Sequence, residues 1–362
     1  MTTKETALAL LGGNGFVSGE SLAKECAVSR AAVNKAIKAL RDDGYSIEAV
    51  TNKGYRLVSE PDRISADAIR QAMESMGANP GEITVFDRID STNTEAKRRC
   101  ASSGAFRLEN GTLTGNGAKL HRSLLVAGAQ TAGRGRMGRV FSSPANSGIY
   151  FTLVYSPKNG ITNPALLTAA AAVAVSESID ELYALSGEYA TRIKWVNDVF
   201  LPAGESSQKK IAGILTEGIS NFETGTIESA IVGIGINVRN GGFSGELSKI
   251  AGSVEDILKE RGRTETASRN AIVANVAGRL LSIYDRMDNG TPDGKMMETY
   301  KAKSMLVGKK VRVNPAAGLE GESYEAEVLD ITDQAELVVE DGGGKTHTLS
   351  SGEVSLHSYD FV

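Results

Sequence analysis

The first sixty residues change from helical spacing of apolar positions to the alternation typical of strands. This pattern predicts three helices and then two short strands, over residues 4–11, 18–26, 29–42, 46–50 and 55–58. Ser18 and Ser29 stand where N-cap hydroxyl groups are expected for the second and third helices. The turn Thr51-Asn52-Lys53-Gly54 offers glycine where a tight hairpin needs positive φ.

The third predicted helix has one apolar face. Val33, Ile37 and Leu40 recur at i, i+4 and i+7, which leaves basic and polar side chains on the outer faces. Helix, turn, basic helix and hairpin together predict a winged helix-turn-helix, with the third helix in a major groove and the wing on phosphate. The residues predicted to contact DNA are Arg30, Asn34, Lys35, Lys38 and Lys53. The alternative is a small helical packing domain with a solvated basic face.

Residues 63–304 mix apolar strands with amphipathic helices. Glu60-Pro61-Asp62 marks a linker, because proline ends the preceding strand. Strands are predicted over 83–88, 147–155, 191–196, 211–217 and 229–238, and helices over 64–76, 94–100, 164–185 and 269–287, with a short helix ending near 303. Residues 101–122 are rich in Gly, Ser, Thr and Asn and are expected to form a long surface loop. The pattern predicts an α+β domain.

The pattern changes again after residue 306. Apolar residues now alternate with polar ones, as in the pair Val311 and Val313 and the pair Leu337 and Val339. Short alternating strands separated by turns predict a small β-barrel of the SH3-like kind over residues 305–362.

One stretch alternates three glycines with three arginines: Gln130-Thr131-Ala132-Gly133-Arg134-Gly135-Arg136-Met137-Gly138-Arg139. Glycine permits positive φ, and guanidinium groups bind carboxylate or phosphate oxygens two at a time. The stretch, called the Arg/Gly loop below, therefore indicates a site for an anionic ligand. It lacks the closing Gly-Lys-Ser/Thr of a P-loop. The alternative is a flexible, solvated basic turn.

Polar residues stand at the ends of several predicted elements. They are Ser91-Thr92-Asn93 before a helix, Lys209-Lys210 before a strand, and Lys194-Trp195-Val196-Asn197-Asp198 and Gly235-Ile236-Asn237 after strands. Such clusters beside a glycine-rich loop are typical of sites in α+β enzymes. Each has a simpler interpretation: an N-cap at Ser91, a turn at Asn197 and Asp198, and surface charge at Lys209 and Lys210.

Composition narrows the class of protein. The chain has 362 residues, 41% of them hydrophobic and 23% charged, and a formal net charge of -4, which excludes a generally basic nucleic-acid coat. Two cysteines, Cys26 and Cys100, and three scattered histidines support neither a disulfide framework nor a zinc site. The first residues have no signal-peptide layout, and the longest apolar run, 165–175, is too short to cross a bilayer. We expect a cytoplasmic protein without a membrane partner.

In their order along the chain, these motifs resemble the biotin protein ligases, specifically the bifunctional type that is also the biotin operon repressor. The resemblance rests on Ser91-Thr92-Asn93, the Arg/Gly loop, Lys194-Trp195-x-Asn197-Asp198, Lys210-Ile211-Ala212-Gly213-Ile214-Leu215, Gly235-Ile236-Asn237 and Gly352-Glu353-Val354-Ser355-Leu356. It implies three domains. They are a winged helix-turn-helix over 1–62, a class II synthetase-like α+β catalytic domain over 63–304 and an SH3-like barrel over 305–362.

The resemblance also implies a reaction. Biotin and ATP form biotinyl-AMP with release of pyrophosphate, and biotin is then transferred to a lysine of a biotin carboxyl carrier protein, a subunit of acetyl-CoA carboxylase or a related carboxylase. Fixed cations lower the electrostatic cost of bringing two anions together. Mg²⁺ is expected on the phosphates of ATP, with no metal site formed by the protein alone. The other implied partners are operator DNA and a second copy of the chain, in a ligand-dependent homodimer.

The site residues implied by the resemblance fall into three groups. Catalysis is assigned to Lys210, Arg134, Arg136 and Asp198; Asp198 would orient or deprotonate the attacking lysine and is the candidate contact for Mg²⁺. Biotin binding is assigned to Ser91, Thr92, Asn93, Gln130, Arg134, Gly135, Arg136 and Lys210. ATP or adenylate binding is assigned to Arg136, Arg139 and Asn237.

The sequence departs from the family pattern at three places. Val196 replaces a proline, which is expected to loosen that turn, the stretch 101–122 is longer than usual, and no tryptophan follows Asn237 to stack on adenine, for which Phe243 is the candidate. Three other functions stay open: a biotin-sensing regulator without ligase activity, a lipoate protein ligase, and a ligase whose winged helix only packs against the catalytic domain.

Overall fold

The structure is a computed structural model, and it divides into two compact units, Met1–Arg63 and Ile64–Val362. It describes the chain apart from residues 1, 14, 43–44, 52, 60–61, 105, 109–110, 159, 205–206, 221–225, 241, 289–292, 315–321, 351–352 and 357–362. Asn52 of the predicted hairpin turn and Gly352 of the last motif lie outside the described residues. Within the described part, none of the helices combines the length and apolar character needed to cross a bilayer.

The first unit contains three helices and a two-stranded antiparallel sheet. Its elements are α1 (Thr3–Leu11), α2 (Gly19–Glu25), α3 (Arg30–Asp42), β1 (Ser46–Val50) and β2 (Gly54–Ser59). The predicted caps are confirmed, because Ser18 Oγ accepts from the Ser21 amide and Ser29 Oγ accepts from the Ala32 amide. The predicted stripe of α3 is also confirmed: Val33, Ile37 and Leu40 are buried in the core of this unit.

Polar side chains of α3 hold the hairpin in place. Arg41 donates two hydrogen bonds to the Ile47 carbonyl oxygen, and the Tyr55 hydroxyl group donates to Asn34 Oδ1 at 2.5 Å. Arg30 forms an exposed ion pair with Glu20 at 2.7 Å. The outer face of α3 is therefore only partly open.

The second unit is built on a seven-stranded sheet with the order β3-β4-β5-β9-β8-β7-β6. The strands are β3 (Ile83–Phe86), β4 (Leu124–Ala127), β5 (Gly148–Tyr155), β6 (Arg192–Lys194), β7 (Asp198–Pro202), β8 (Gln208–Ser220) and β9 (Ile227–Asn237). β3 and β4 are parallel, and the other neighbouring strands are antiparallel.

Helices cover both faces of this sheet. They are α4 (Ala66–Ser75), α5 (Thr92–Ser103), α6 (Gly115–Leu120), α7 (Pro164–Leu182), α8 (Glu246–Ile250), α9 (Val254–Glu260), α10 (Arg269–Asp288) and α11 (Gly294–Ala302). Side chains alternate along β5, so Leu153 joins the main core with α7 and α10, whereas Val154 faces the smaller cluster under α5. The first turn of α5 thus lies over the middle of the sheet, where the site is found.

The structure corrects several predictions for this unit. The strands β4 and β7 were not predicted, because each is short and flanked by glycine or polar residues. Residues 101–122 are not simply a surface loop: α5 extends to Ser103, α6 lies within the stretch, and the Phe106 side chain is buried against α5. Burial of one aromatic side chain outweighs the loop-forming composition around it.

Residues after α11 form an antiparallel sheet with the order β13-β12-β11-β10-β14. Its strands are β10 (Lys310–Asn314), β11 (Tyr324–Ile331), β12 (Leu337–Asp341), β13 (Thr346–Leu349) and β14 (Glu353–Leu356). The predicted alternation is confirmed, since Val311, Val313, Leu337 and Val339 are buried. Among the described residues the sheet is open, with β13 and β14 as its edges. Its buried residues continue the main core of the second unit.

Gly54 tests how the hairpin joins the first unit. It has φ +103°, and a Cβ placed there would lie 2.1 Å from the Val17 carbonyl oxygen, so the backbone itself is in the way. We expect Gly54→Ala to lower the free energy of unfolding of this unit by about 2 kcal/mol or more. Gly13→Ala is the control, because its Cβ would meet nothing within 4 Å. Hydrogen exchange of residues 3–56 in urea measures both, and equal protection in the two variants would contradict the steric account.

Candidate functional site

A cleft in the second unit lies between the start of α5, the Arg/Gly loop and the middle of β8 and β9. All eight residues assigned to biotin line this cleft: Ser91, Thr92, Asn93, Gln130, Arg134, Gly135, Arg136 and Lys210. Asn197 and Gly233, Ile234 and Gly235 also line it, so residues from five separate stretches of the chain converge on one space.

Two glycines of β9 allow side chains to lie directly on the strand. A Cβ at Gly235 would come within 2.5 Å of the Phe141 ring, and a Cβ at Gly233 would come within 2.1 Å of Asn93 Oδ1. Phe141 also lines the cleft. Sequence analysis missed it and named Phe243, which is outside the lining; the available signal was an aromatic residue two positions after the Arg/Gly loop. The glycines thus set the shape of the cleft floor.

The first turn of α5 forms one end of the cleft. Ser91 is the N-cap of α5, and its Oγ accepts from the Thr94 amide at 3.4 Å. The interpretation of Ser91 as an N-cap is therefore confirmed, and the residue also lines the cleft. Thr92 donates its amide to Gln130 Oε1 at 2.8 Å. Gln130 Nε2 in turn donates to Ser143 Oγ at 3.0 Å. Hydrogen bonds therefore fix Gln130 and Thr92 relative to each other across 38 residues of sequence.

Asn93 is held by partners inside the protein. Its Nδ2 donates to the Leu215 carbonyl oxygen at 3.2 Å and to Glu217 Oε2 at 2.9 Å, and its Oδ1 lies 2.7 Å from Thr152 Oγ1. Thr152 Oγ1 is also 2.8 Å from Thr92 Oγ1 and is fully buried. The amide of Asn93 thus belongs to the wall behind the cleft, although the residue also contributes to the lining.

The Arg/Gly loop uses its glycines in different ways. Gly138 has φ +73° and follows Met137, whose φ is +54°, so the turn lies there. Gly133 is needed for a close approach instead, because a Cβ would lie 2.3 Å from the Phe141 carbonyl oxygen. Positive φ therefore explains the glycine at position 138, whereas close approach explains Gly133. Arg136 donates to Asn197 Oδ1 at 2.9 Å, which links the loop to the segment before β7.

Arg134 lies near a shared carboxylate at one side of the cleft. The Glu217 side chain is within 3.4 Å of the Arg134 guanidinium group and accepts a hydrogen bond from Lys97 at 2.6 Å. Burial alone would raise the pKa of Glu217, but hydrogen bonds from Lys97 and Asn93 and the charges of Lys97 and Arg134 together lower it. Glu217 is therefore ionised at neutral pH. Sequence analysis did not identify this residue.

Lys210 and Asp198 form a close ion pair at the other side. Lys210 Nζ is 2.7 Å from Asp198 Oδ1, with the two side chains 27% and 22% exposed. Lys210 lies on β8, and Asp198 begins β7, two neighbouring antiparallel strands. Asp198 is outside the lining of the cleft and reaches it through Lys210. An ion pair of this exposure orients the ammonium group more than it stabilises the fold.

The segment that carries Asn197 and Asp198 is fixed from behind. Trp195 Nε1 donates to the Ala335 carbonyl oxygen at 2.8 Å, and the hydroxyl group of the buried Tyr300 donates to the Val196 carbonyl oxygen at 3.2 Å. The peptide bond between Trp195 and Val196 is cis. The turn before β12 and the helix α11 thus both hold this segment.

Two residues of the predicted set lie outside the cleft. Arg139 is exposed, and Asn237 is buried at the end of β9; neither lines the cleft. Lys209, interpreted as surface charge, also does not line the cleft, and its Nζ donates to the Ser248 and Lys249 carbonyl oxygens at the end of α8. Positive charge at a helix C-terminus is favourable.

Residues that could hold a metal ion are few in this region. Across the described ranges of the chain, no group of three or more His, Cys, Asp or Glu side chains has the arrangement of a metal site. Asp198 offers a carboxylate, and Lys210 already occupies one of its oxygens.

Comparison with known proteins decides the family. The bifunctional ligase/repressor BirA of Bacillus subtilis is 32% identical to this chain over 336 residues, which is 92% of this chain and 91% of that protein. The chain belongs to the biotin protein ligase family. The biotin/lipoate A/B protein ligase family model matches residues 85–237, an HTH domain model matches residues 3–56, and the biotin protein ligase C terminal domain model matches residues 308–357.

Other members of this biotin protein ligase family agree. The bifunctional ligase/repressor BirA of Escherichia coli is 31% identical over 231 residues, 64% of this chain and 62% of that protein. The biotin protein ligase of Aquifex aeolicus, solved in complex with biotin and ATP, has a TM-score of 0.57 at 22% identity and covers 76% of this chain and 98% of its own. The latter similarity shows a shared fold.

Ionisation of Glu217 makes the stability of this ligase-family protein depend on pH in the acidic range. Its folded-state pKa lies below the ordinary value of 4.5, so its contribution is fully present above that value and is lost as pH falls through the folded pKa. We expect Glu217→Gln to lower the melting temperature at pH 7 and to lower it less, relative to wild type, below pH 4.5. Thermal unfolding from pH 7 to pH 3 measures this. A difference that stays constant over the whole range would contradict it.

Proposed function

We propose that this protein is an ATP-dependent biotin protein ligase that also represses transcription in response to biotin. It would form biotinyl-AMP and transfer biotin to a lysine of a biotin carboxyl carrier protein, a carboxylase subunit. One observation carries the proposal: the hydrogen-bonding end formed by Thr92 and Gln130 and the cationic end formed by Arg134, Arg136 and Lys210 belong to one cleft. A carboxylic acid with a polar ring needs both ends.

In the first step a biotin carboxylate oxygen would attack the α-phosphorus of ATP, and pyrophosphate would leave. Both reactants are anions, so the attack brings like charges together. Arg134, Arg136 and Lys210 would lower that cost, because each is already held by a fixed partner and needs little reorganisation. Lys210 is proposed to contact both the carboxylate and the α-phosphate. Mg²⁺ would arrive with the phosphates of ATP.

In the second step the carrier lysine would attack the acyl carbon of the anhydride, and AMP would leave. A free lysine with a pKa of about 10.4 is mostly protonated at neutral pH. Asp198 is proposed to accept a hydrogen bond from this ammonium group or to remove its proton. Ser91 and Gly135 are proposed to contact biotin, and Arg139 and Asn237 are proposed to contact the adenylate.

The remaining details of the architecture are also proposed. The hairpin of β1 and β2 after α3 supports a winged form of the helix-turn-helix, and the five-stranded sheet supports an SH3-like barrel. The proposed domains are 1–62, 63–304 and 305–362. The repressor would act in the cytoplasm as a ligand-dependent homodimer on operator DNA, with base and phosphate contacts from Arg30, Asn34, Lys35, Lys38 and Lys53.

Lys210→Ala tests the ligase assignment. We expect biotin-dependent pyrophosphate release from ATP to fall by about 100-fold or more, because the variant removes a fixed cation from the reacting anions. Lys301→Ala is the matched control, since Lys301 forms an ion pair of the same 2.7 Å length with Asp333 away from the lining of the cleft. The control is expected to keep its rate within twofold.

The same assay separates the other functions. Release of pyrophosphate by the wild type with lipoate and not with biotin would identify a lipoate ligase. No release with either acid, together with biotin binding, would identify a regulator without ligase activity. Biotin-dependent release followed by labelling of a carrier domain is the outcome that the proposal requires.

Lys35 and Lys38 test the repressor role. Both are exposed on α3, and neutralising two phosphate contacts is expected to reduce the slope of log affinity against log salt by about 2. We therefore expect Lys35→Ala with Lys38→Ala to bind duplex DNA more weakly and with that smaller slope, measured by fluorescence anisotropy with biotinyl-AMP present. Lys259→Ala, an exposed lysine of α9, is the control. An unchanged slope in the double variant would remove α3 from the interface.

A further inference from the structure

Asn197, between β6 and β7, ties one cation of the cleft to the sheet. Its Oδ1 accepts from Arg136 at 2.9 Å, and both residues line the cleft. Its Nδ2 donates to the Ile214 carbonyl oxygen at 3.0 Å, and its own carbonyl oxygen accepts from the Ile214 amide at 2.9 Å. The direction of the Arg136 guanidinium group therefore depends on where the backbone presents this one side-chain amide.

The residue before Asn197 does not fix the backbone by itself. Val196 stands where proline is usual in the family, and valine does not restrict φ as the proline ring does. The Val196 carbonyl oxygen instead accepts from the Tyr300 hydroxyl group at 3.2 Å. Val196 is buried and Tyr300 is fully buried, so bulk water does not replace this donor. Loss of the hydroxyl group would leave a buried carbonyl group unsatisfied unless the segment moved.

The Tyr300 hydroxyl group keeps its hydrogen atom at neutral pH. Burial raises its pKa above the ordinary value of 10.0, and the negative charge of Asp198 adds to this effect while the positive charge of Arg136 opposes it. The hydrogen bond to Val196 is therefore present throughout the neutral pH range. Tyr300 lies on α11 and is outside the lining of the cleft, so it would act on a ligand only through other residues.

We propose that Tyr300 is a positioning residue for adenylate formation, because it fixes the backbone that presents Asn197. Asn197 in turn directs the Arg136 guanidinium group at the reacting anions. The inference rests on the proposed function and deepens it, since Arg136 is one of the cations assigned to the first step. A cation that is already oriented needs no reorganisation when charge develops, and this advantage is lost when its support loosens.

Tyr300→Phe tests the inference, because it removes the hydroxyl group and keeps the ring. We expect kcat for biotin-dependent pyrophosphate release to fall about tenfold, with KM for biotin and for ATP within about threefold of wild type, since orientation counts mainly in the transition state. In an Asn197→Ala background the same change is expected to lower kcat by no more than about twofold. A further tenfold fall there would overturn the inference, because Tyr300 would then act by another route.

Tyr284→Phe is the matched control. Tyr284 is also fully buried, and its hydroxyl group also donates to a backbone carbonyl oxygen, that of Leu167 at 2.9 Å, outside the lining of the cleft. We expect this variant to lose thermal stability and to keep kcat within about twofold of wild type. A fall in kcat as large as that of Tyr300→Phe would mean that the loss of any buried hydroxyl group explains the effect, which would overturn the inference.

Trp195 gives a readout that does not depend on activity. It is the single tryptophan of the chain, it precedes Val196, and its Nε1 donates to the Ala335 carbonyl oxygen at 2.8 Å. We expect Tyr300→Phe to shift the indole N–H signal in nuclear magnetic resonance spectra and to speed its hydrogen exchange by about fivefold or more. Tyr284→Phe is expected to leave the signal in place. Tyr300→Met repeats all measurements if the phenylalanine variant does not fold.

The two measurements separate the inference from the proposed function. An unchanged indole signal or an unchanged kcat in Tyr300→Phe would overturn the inference and leave the proposed function intact. A wild type that releases no pyrophosphate with biotin would overturn the proposed function and the inference with it.

Discussion

The site depends on holding cations in place inside a protein of net negative charge. Each of these cations of the cleft has a partner within the protein: Glu217 for Arg134, Asn197 for Arg136 and Asp198 for Lys210. Without these partners, the side chains would be free to reorient in solvent. An anion that binds would then first have to fix their positions. Glu217 lies on β8, Asp198 begins β7, and Asn197 lies in the segment between β6 and β7. The sheet is thus the frame on which the electrostatics depends.

The same sheet separates two kinds of recognition. Neutral hydrogen-bonding groups gather at the start of α5, whereas charged groups lie on the Arg/Gly loop and the strand ends. Glu217 is the residue that touches both, because it binds Asn93 on one side and approaches Arg134 on the other. A change in its charge would therefore act on both of these parts of the cleft. Asn93 can take this position because it packs directly on Gly233, where a Cβ would leave no room.

Stability and function share residues in the wall around the site. Trp195 and Tyr300 are buried, and their polar atoms hold the backbone that presents Asn197 and Asp198. The carbonyl oxygen of Ala335 that accepts from Trp195 belongs to the C-terminal sheet region. Packing between this region and the central sheet, which share one continuous core, thus reaches the segment of Asn197 and Asp198 through one hydrogen bond.

Much of this protein was determined by its sequence alone. Periodicity predicted α3 with its buried Val33, the long helices α7 and α10 and the alternating C-terminal strands, because local spacing directly records which face is buried. The ordered motifs predicted the family and the residues that gather in the cleft. The short strand β4 was not predicted, because four residues show too little periodicity.

Only the tertiary structure decided how the site residues act on each other. Asn93 and Glu217 are 124 residues apart, and nothing local in either segment indicates that they touch. The contact between Phe141 and Gly235 and the hydrogen bond from Trp195 to Ala335 also join segments that are far apart in sequence. Such contacts follow from strand order and register, which the alternation of side chains along one strand does not specify.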